Sequence, residues 1–431
     1  MRRINAARED VEAFIHSRKA DLAEITEVVA GIGREVKVRG DQAVFDFTRQ
    51  FDGAVLDKAN FRVSREEIDQ AYVLVDEEYL GALRGAIDRI RAFHTRQLRN
   101  SWMEPDENGN ILGQLIRPVE RAGIYVPGGT AAYPSSVLMN AIPAKVAGVK
   151  EIVMVSPPSR EGKLNPYTLV AAAEAGIGEI YKMGGAQAIF ALAWGTETVP
   201  KVDLITGPGN IYVTVAKKLV YGEVNIDMLA GPSEITILAD GSADPAFVAA
   251  DMLSQAEHDI LARSILVTDD PGLLDRVEAE IDKQVETLSR RGIIEQALAK
   301  QGALILTTDL EEACRVVNLI APEHLELMVE KPFDLLSKVK NAGAIFLGQY
   351  TPEPVGDYYA GPNHILPTGG TARFYSPVTV HTFMKTSSLL YYSRAGMLRD
   401  ADAIIKLATV EGLTAHANSV RIRKEKLHGG D

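Results

Sequence analysis

The chain up to about residue 120 has the hydrophobic spacing of helices. Ser64 is followed three residues later by Glu67, an arrangement typical of a capping box at a helix start. Beyond it, apolar residues recur at helical spacing with polar residues between them: Ile68, Tyr72, Leu80, Leu83, Ile87, Ile90 and Phe93. The pattern predicts a mainly helical scaffold for this region.

From about residue 121, short apolar runs alternate with glycine turns and helical stretches. The runs are rich in Ile and Val without clean alternation, as expected of strands buried on both faces. The helical stretches between them, one following a second predicted capping box at residues 308–311, indicate βαβ units and parallel sheets. The predicted strands cover residues 123–126, 151–156, 179–183, 202–206, 234–239, 264–268, 303–307 and 344–347.

Composition adds a domain count and excludes one class of partner. The 431 residues are 46% hydrophobic and 24% charged, which is ordinary for a globular protein. Since single cores stop growing near ~250–300 residues, more than one domain is expected. The net charge of −12 would repel phosphate backbones, so nucleic acid is not expected as a partner.

The single cysteine, Cys314, excludes an internal disulfide and a thiolate zinc cluster. It lies at helical spacing with Leu310 and Val317, which favours a packed core position over a nucleophile. The first residues carry positive charges without a following apolar stretch, and no apolar run approaches the ~18 residues of a membrane span. We therefore expect a cytoplasmic protein without membrane contact.

Two glycine turns follow predicted strands, at residues 127–130 and 207–210. The common dinucleotide, phosphate, metalloprotease and nucleophile-elbow motifs are absent from the sequence. Backbone N–H groups at the two turns could receive a pyrophosphate, although spacing alone favours plain tight turns.

Gln255 and His258 are three residues apart, so on a helix both would face one side and could share a cation. Two ligands do not make a metal site, and a polar helix face explains the pair equally well. Asp357, in a loop rich in Pro and Gly at residues 351–370, could add a carboxylate.

Glu323 and His324 place a carboxyl group beside an imidazole, directly after Pro322. Histidine has a reference pKa of ~6.5 and suits proton abstraction near neutrality, and the glutamate could serve as a second base. Because adjacent side chains diverge in a strand, joint action requires a bend here. A solvated pair at the end of the preceding helix is the alternative. Glu411 and His416 have the pattern of surface residues.

Six segments together resemble the histidinol dehydrogenase family along essentially the whole chain. Each is weak alone, but the set is highly specific. They are RAGIYVPGG at 121–129, GPGNIYV at 207–213, IDMLAGPSE at 226–234, QAEHD at 255–259, APEHL at 321–325 and EGLTAH at 411–416.

The resemblance implies a zinc site, with manganese or cobalt as plausible substitutes, and binding sites for histidinol and NAD. The implied protein ligands of the metal are Gln255, His258, Asp357 and His416. The implied substrate contacts are these four residues together with Ser233, His324, His364 and Glu411. The implied NAD contacts are Tyr125, Gln187 and Asn210.

The reaction that the resemblance implies is the last step of histidine biosynthesis, two oxidations in one site that consume two NAD molecules. His324 is the implied base for oxidation of L-histidinol to L-histidinaldehyde. Glu323 is implied to activate the water that adds to the aldehyde before the second oxidation gives L-histidine.

The fold implied by the resemblance is α/β, with two intertwined, incomplete Rossmann-like domains built on parallel sheets. One would comprise residues 25–125 and 237–378, and the other residues 126–236. Helical segments at 1–24 and 379–431 would complete a homodimer, in which the swapped C-terminal segment carries Glu411 and His416 into the partner's active site.

Three other functions fit parts of the pattern. A relative within the family could oxidise another small polar alcohol, such as a sulfonated propanediol. A zinc hydrolase could use metal-activated water without NAD. A noncatalytic metal-binding scaffold would leave the Glu323–His324 pair without a role.

Overall fold

The computed structural model describes residues 1–16, 22–128 and 133–428 of the chain. It divides into two compact units, each described here by itself. Unit 1 comprises residues 1–97 and 119–383, and unit 2 comprises residues 98–118 and 384–431. Among the described helices, none is both long enough and apolar enough to traverse a lipid bilayer.

Strands and helices alternate through most of unit 1, and the described residues of the two units together contain fourteen strands and fifteen α-helices. The strands are β1 (Arg2–Asn5), β2 (Trp102–Pro105), β3 (Ile111–Pro118), β4 (Arg121–Tyr125), β5 (Glu151–Ser156), β6 (Glu179–Lys182), β7 (Leu204–Thr206), β8 (Asn225–Ile226), β9 (Glu234–Ala239), β10 (Arg263–Thr268), β11 (Ala303–Leu306), β12 (His324–Met328), β13 (Ala344–Leu347) and β14 (Met384–Tyr391). The helices are α1 (Val11–His16), α2 (Ala23–Arg39), α3 (Asp41–Asp52), α4 (Arg65–Val73), α5 (Glu77–Thr95), α6 (Pro134–Ala147), α7 (Pro166–Glu174), α8 (Gly185–Trp194), α9 (Ile211–Val220), α10 (Pro245–Ala256), α11 (Pro271–Val285), α12 (Arg291–Gln301), α13 (Leu310–Ile320), α14 (Arg394–Val410) and α15 (Thr414–His428).

Unit 1 contains two parallel sheets. A six-stranded sheet has the order β1-β11-β10-β9-β12-β13, and a five-stranded sheet has the order β6-β5-β4-β7-β8. Every residue of the central strand β9 is buried, as expected when helices cover both faces of a sheet. The predicted α/β class with parallel sheets is confirmed.

Each strand predicted from the apolar runs is present, with ends that differ by at most a few residues. The predicted domain boundaries do not follow the sheets. The predicted boundary at 125/126 lies directly after β4, and so separates this strand from the other strands of the five-stranded sheet. The predicted boundary at 236/237 lies within β9 of the six-stranded sheet.

Both terminal segments contain helices, as predicted, and each also contains a strand. Near the N-terminus, β1 pairs in parallel with β11 and joins the six-stranded sheet. In unit 2, β14 pairs antiparallel with β3, which also pairs with β2, and the helices α14 and α15 pack against each other. These strands lack a long apolar run because their sheet positions are edges or largely exposed.

The capping predictions are confirmed at one helix and shifted at another. Ser64 caps α4 in a reciprocal capping box with Glu67. The helical periodicity that follows is split, because Asp76 caps a new helix, α5. At α13, the N-cap is Asp309, whose side chain accepts from the backbone of Glu312, one residue later than predicted.

Candidate functional site

Glu323 and His324 lie between the end of α13 and the start of β12, a strand that pairs with β9 and the edge strand β13 in the six-stranded sheet. Ala321 adopts a left-handed backbone conformation with φ of 51°, which turns the chain sharply after the helix. Glu323 Oε2 accepts a hydrogen bond of 2.9 Å from the backbone N–H of Glu234. His324 Nδ1 lies 3.7 Å from that same carboxylate oxygen. The bend that joint action requires is therefore present.

His324 has one ring nitrogen engaged and the other open. Nδ1 lies 3.0 Å from the carbonyl oxygen of Glu234, and since a carbonyl only accepts, this contact places the proton on Nδ1. Nε2 is buried and has no hydrogen-bond partner among the described residues. It lies 3.7 Å from Asp357 Oδ1 and 3.9 Å from Glu353 Oε1. The open nitrogen thus faces two carboxylates.

Burial and charge compete for each titratable group here. Burial alone would lower the pKa of His324, but the carboxylates of Glu353, Glu323 and Asp357 outweigh it and raise this pKa well above its usual value. Burial raises the pKa of Glu323 to about 8, against the opposing effect of His324. For Asp357, contacts with His324 and His364 overcome burial and lower the pKa.

Asp357 is positioned by an unusual local structure. It lies in a π-helical turn, Val355–Ala360, a conformation that occurs mostly at functional sites. His364 follows in the same loop, and its Nδ1 lies 3.8 Å from Asp357 Oδ2. A cavity of about 310 Å³ reaches Asp357 between α5, β13 and this loop. The carboxylate is therefore accessible to a small molecule.

Gln255 and His258 do not share a helix face, which corrects the sequence prediction. Helix α10 ends at Ala256, so Gln255 lies in its last turn and His258 lies beyond it. His258 is an exposed residue, but loss of solvent around its ring lowers its pKa, while Asp357 acts in the opposite direction. Asp357 and His258 thus interact electrostatically.

The side chains present fit a bound cation. Gln255 is fully buried, and neither its amide oxygen nor its amide nitrogen has a partner in the described structure, an arrangement that is costly unless a ligand satisfies it. His324, Glu353 and Asp357 offer ligand atoms that all lie within 4.8 Å of one another. Mixed nitrogen and oxygen donors of this kind suit zinc, manganese or cobalt.

The remaining predicted substrate residues are distributed over both units. Ser233 precedes β9, and its carbonyl accepts from the backbone of Arg263. Glu411 caps the C-terminus of α14 and His416 lies on α15, both exposed in unit 2. These two residues line a shallow depression of about 560 Å³ in that unit.

The predicted NAD residues follow the carboxyl ends of three strands of the five-stranded sheet. Tyr125 ends β4, Gln187 lies in the first turn of α8 after β6, and Asn210 caps α9 after β7. Carboxyl ends of parallel strands meet at one sheet edge, the usual ligand edge of such folds. Gln187 is fully buried with both amide atoms unpartnered in the described structure, so a polar ligand fits there.

The two glycine turns differ in what can be described. Part of the first, residues 129–132, lies outside the described residues. In the second, Gly207 has φ of +117°, and a Cβ there would lie 2.0 Å from the carbonyl oxygen of Tyr125. Its N–H donates to Asp227, which is paired with the buried Lys217. Close approach to β4 therefore requires this glycine.

Three buried carboxylates near the site were missed by the sequence analysis. Burial raises the pKa of Glu353 to about 7 and that of Asp251 to about 6. Burial, and then the charge of Asp251, raise the pKa of Glu326. Two signals were present: Glu353 lies between prolines in the flagged loop, and Glu326 is two residues after His324, on the same face of a strand.

A family profile and curated relatives place the chain among the histidinol dehydrogenases. The histidinol dehydrogenase family profile matches residues 15–424. A histidinol dehydrogenase of Heliobacterium mobile is 59% identical over 417 residues, covering 97% of this chain and 98% of the relative. One from Carboxydothermus hydrogenoformans is 59% identical over 406 residues, covering 94% and 95%.

A solved structure agrees with the sequence relatives. The crystal structure of histidinol dehydrogenase from Elizabethkingia anophelis superposes with a TM-score of 0.94 at 39% identity, covering 99% of each chain. Profile, sequences and structure coincide over nearly the full length. The chain belongs to the histidinol dehydrogenase family.

Proposed function

We propose that this chain oxidises L-histidinol through L-histidinaldehyde to L-histidine, the last step of histidine biosynthesis, with NAD as oxidant and zinc as an aid. Family membership supports the substrate. The observation that carries the chemistry is the buried Glu323–His324 pair, whose open imidazole nitrogen faces Asp357. Oxidation of an alcohol needs a base for the hydroxyl proton, and His324 lies beside Asp357, a carboxylate that could bind a metal.

Gln255, His258 and Asp357, with His416 from a second copy of the chain, would hold the zinc. The unpartnered, buried amide of Gln255 supports this assignment. When bound, the metal supplies Lewis-acid chemistry, orienting the substrate and polarising its oxygen. Ser233, His364 and Glu411 would complete the contacts to the substrate.

His324 acts as base in the alcohol step. A carbon–oxygen bond can lose hydride only as its O–H loses a proton, and His324 Nε2 is the ring nitrogen that would accept it. Because the neighbouring carboxylates raise the pKa of His324, a cation held at Asp357 would be needed to offset their charge and leave Nε2 unprotonated. The contact of Nδ1 with the Glu234 carbonyl fixes the ring orientation and tautomer. Tyr125, Gln187 and Asn210 would hold NAD, which would supply the hydride acceptor.

Glu323 acts in the aldehyde step. An aldehyde carbonyl has no O–H, so water must add before a second hydride can leave. Burial raises the pKa of Glu323 to about 8, which makes its carboxylate a stronger base for that water. A thioester route is disfavoured because the single cysteine, Cys314, is buried in the core on α13.

The proposed reaction is tested with the purified protein, histidinol and NAD, following reduced nicotinamide by absorbance. Two NADH per histidine are expected, with loss of activity after chelation and recovery on adding zinc. A sulfonated propanediol serves as the competing alcohol. Faster oxidation of that alcohol would move the chain to another branch of the family, and histidinol turnover without NADH would overturn the redox assignment.

The metal assignment has its own test. His258→Asn should lose zinc, because it removes a nitrogen ligand, whereas His428→Asn, at an exposed position in α15, should retain it. Zinc content per chain is measured by elemental analysis. Full zinc occupancy in the His258 variant would remove that residue from the proposed ligand set.

A homodimer with shared sites completes the proposal. The α14–α15 pair exposes several apolar side chains, as expected of a surface covered by another chain. These are Leu407, Val410, Leu413 and Ile422. Glu411 and His416 lie on the same helix pair, and a second copy would bring them to the site. We place the enzyme in the cytoplasm, where biosynthesis of amino acids proceeds.

A further inference from the structure

Asp52 occupies an unfavourable position that stability does not explain. It is the last residue of α3, where the negative end of the helix dipole disfavours a carboxylate. Its Oδ2 is sealed from solvent and has no hydrogen-bond partner within the described residues. Burial raises its pKa to about 6. An unpaired buried acceptor of this kind suggests a ligand.

The surroundings of Asp52 contain other polar groups with unused hydrogen-bonding capacity. Helix α3 packs in the same buried core cluster as Tyr125 and α8, and burial and then the charge of Asp52 raise the pKa of Tyr125. The Tyr125 hydroxyl accepts from the N–H of Gly185 at 3.1 Å, which leaves its own hydrogen available to donate. Gln187, two residues after Gly185, is fully buried with both amide atoms unpartnered in the described structure. Donors and acceptors for a polyhydroxylated molecule therefore occur together.

A sugar hydroxyl is the group that a carboxylate at this edge would recognise. Dinucleotide-binding sheets usually carry an acidic residue past the second strand of the βαβ unit, where it accepts from the ribose hydroxyls. Here β5 ends at Ser156, and Pro157 follows, so no acid stands there. Asp227, at the same edge, is already engaged by Lys217 and by the N–H of Gly207. Asp52 brings a free carboxylate from outside the sheet.

We propose that Asp52 is a positioning residue for the dinucleotide, accepting hydrogen bonds from ribose hydroxyls and favouring NAD over its 2′-phosphorylated form. The inference rests on the proposed NAD dependence. The fixed charge attracts hydroxyl donors and repels a phosphate placed on the same sugar, so one side chain gives both affinity and selectivity. Asp52 thereby takes the role of the acidic residue that accompanies the glycine-rich fingerprint in other dinucleotide-binding sheets.

Equilibrium binding by titration calorimetry tests the proposal without relying on turnover. Asp52→Asn keeps the shape but removes the charge, and it should weaken NAD binding roughly tenfold or more, because a charge-assisted hydrogen bond is lost. The ratio of the NADP dissociation constant to that of NAD should fall as well. Asp46→Asn, on the same helix but paired with Arg39 at the surface, is the matched control and should leave both constants unchanged.

The possible results separate this inference from the proposed function. If the unmodified protein binds no NAD, the proposed cofactor is wrong. If it binds NAD while Asp52→Asn binds NAD equally or more tightly, the role of Asp52 is overturned and the cofactor stands. A lower melting temperature with an unchanged NADP/NAD ratio would mean a structural role and would also overturn it.

Displacement by half-molecules locates the sugar. AMP carries the adenosine ribose, and nicotinamide mononucleotide carries the other ribose. The half whose binding is weakened by Asp52→Asn, and not by Asp46→Asn, is the one that Asp52 contacts. Unchanged binding of both halves would contradict a ribose contact.

Discussion

Carboxyl groups in unit 1 do different chemistry according to what surrounds them. Asp357 is held anionic by His324 and His364, whereas Glu323 and Glu353 have raised pKa values because burial dominates. The pKa values of Asp357 and Glu323 are thus moved in opposite directions within one site. Such separation assigns one group to hold a cation and the other to exchange a proton.

Replacing Glu323 should separate the two half-reactions. Glu323→Gln can still accept from the N–H of Glu234 but cannot take a proton from water. Oxidation of histidinaldehyde should fall by roughly 10²–10³-fold, while the alcohol step is spared by comparison. Single-turnover NADH formation with each substrate measures this, and Glu330→Gln, at an exposed position, is the control. Equal losses in both steps would contradict separate roles.

Asp52 should make stability fall with rising pH over a defined window. In the folded protein the pKa of Asp52 is about 6, against an ordinary value of 3.8, so between pH 4 and 6 this carboxyl is ionised in the unfolded chain and protonated in the folded chain. At pH 7–8 the free energy of unfolding of Asp52→Asn should therefore exceed that of the parent protein, and its melting temperature should be higher. The difference should be at most about 2 kcal/mol, because solvent screens the partly exposed group. Thermal melts at pH 4 and pH 8 test this, and a larger advantage at pH 4 would contradict it.

At residue scale, the sequence indicated chemistry through type and spacing but not through burial. Glu323, His324 and Asp357 were identified through adjacency, a polar loop and family motifs. Asp52 was missed because nothing beside it in the sequence marks it as unpaired. Its significance depends on Tyr125 and Gln187, which approach only in the folded chain.

At the scale of elements, the buried pair between α9 and the residue after β8 supports the ligand edge of the five-stranded sheet. Lys217 is paired with Asp227, and both side chains are almost wholly buried. Lys217 Nζ also donates to the carbonyl of Gly207 at 3.0 Å. One cation thus ties a helix, a strand end and the glycine turn together.

Removing that cation should be costly. Lys217→Met leaves Asp227 charged and buried, which typically costs about 3–5 kcal/mol. The melting temperature should drop by several degrees, measured by calorimetry, whereas Lys218→Met, at the adjacent exposed position, should change little. Combining Lys217→Met with Asp227→Leu should recover part of the loss. If Lys217→Met alone is as stable as the parent protein, the ion pair contributes nothing to the free energy of unfolding.

Elements were predictable from sequence where burial is two-sided. The strands β5 and β9 are continuous runs of Ile, Val and Leu, and both were predicted. The strand β12 was missed because the preceding helix ends on Ala321 rather than on a glycine, so the usual stop signal is absent. The strand β14 was missed because its exposed residues leave no apolar run.

At the scale of the whole molecule, residues of two chains would together form each proposed active site. His324 and Asp357 belong to unit 1, whereas Glu411 and His416 belong to unit 2. If the site of one chain takes its last ligand from another, a monomer is incomplete. Activity should then depend on assembly.

Mixing two inactive variants tests shared sites. When Glu323→Gln and His416→Asn chains exchange subunits, each hybrid has one site with both defects and one with neither. With random exchange, roughly a quarter of parental activity should return, since half the dimers are hybrids and half their sites are intact. NADH production from histidinaldehyde after mixing is the measurement, because Glu323→Gln alone blocks the aldehyde step and spares the alcohol step. If heterodimers are shown to form but have no activity, each active site lies within a single chain.

The split composition of unit 2 has a consequence for biosynthesis of the chain itself. The ribosome releases β2 and β3 early, yet β14, which completes their sheet, follows nearly the whole of unit 1. Until then the nascent hairpin has an open strand edge capable of pairing with other polypeptides. The sheet of unit 2 can therefore form only late in translation, after β14 has been synthesised. Newly made chains avoid aggregation if β14 then pairs promptly with β3.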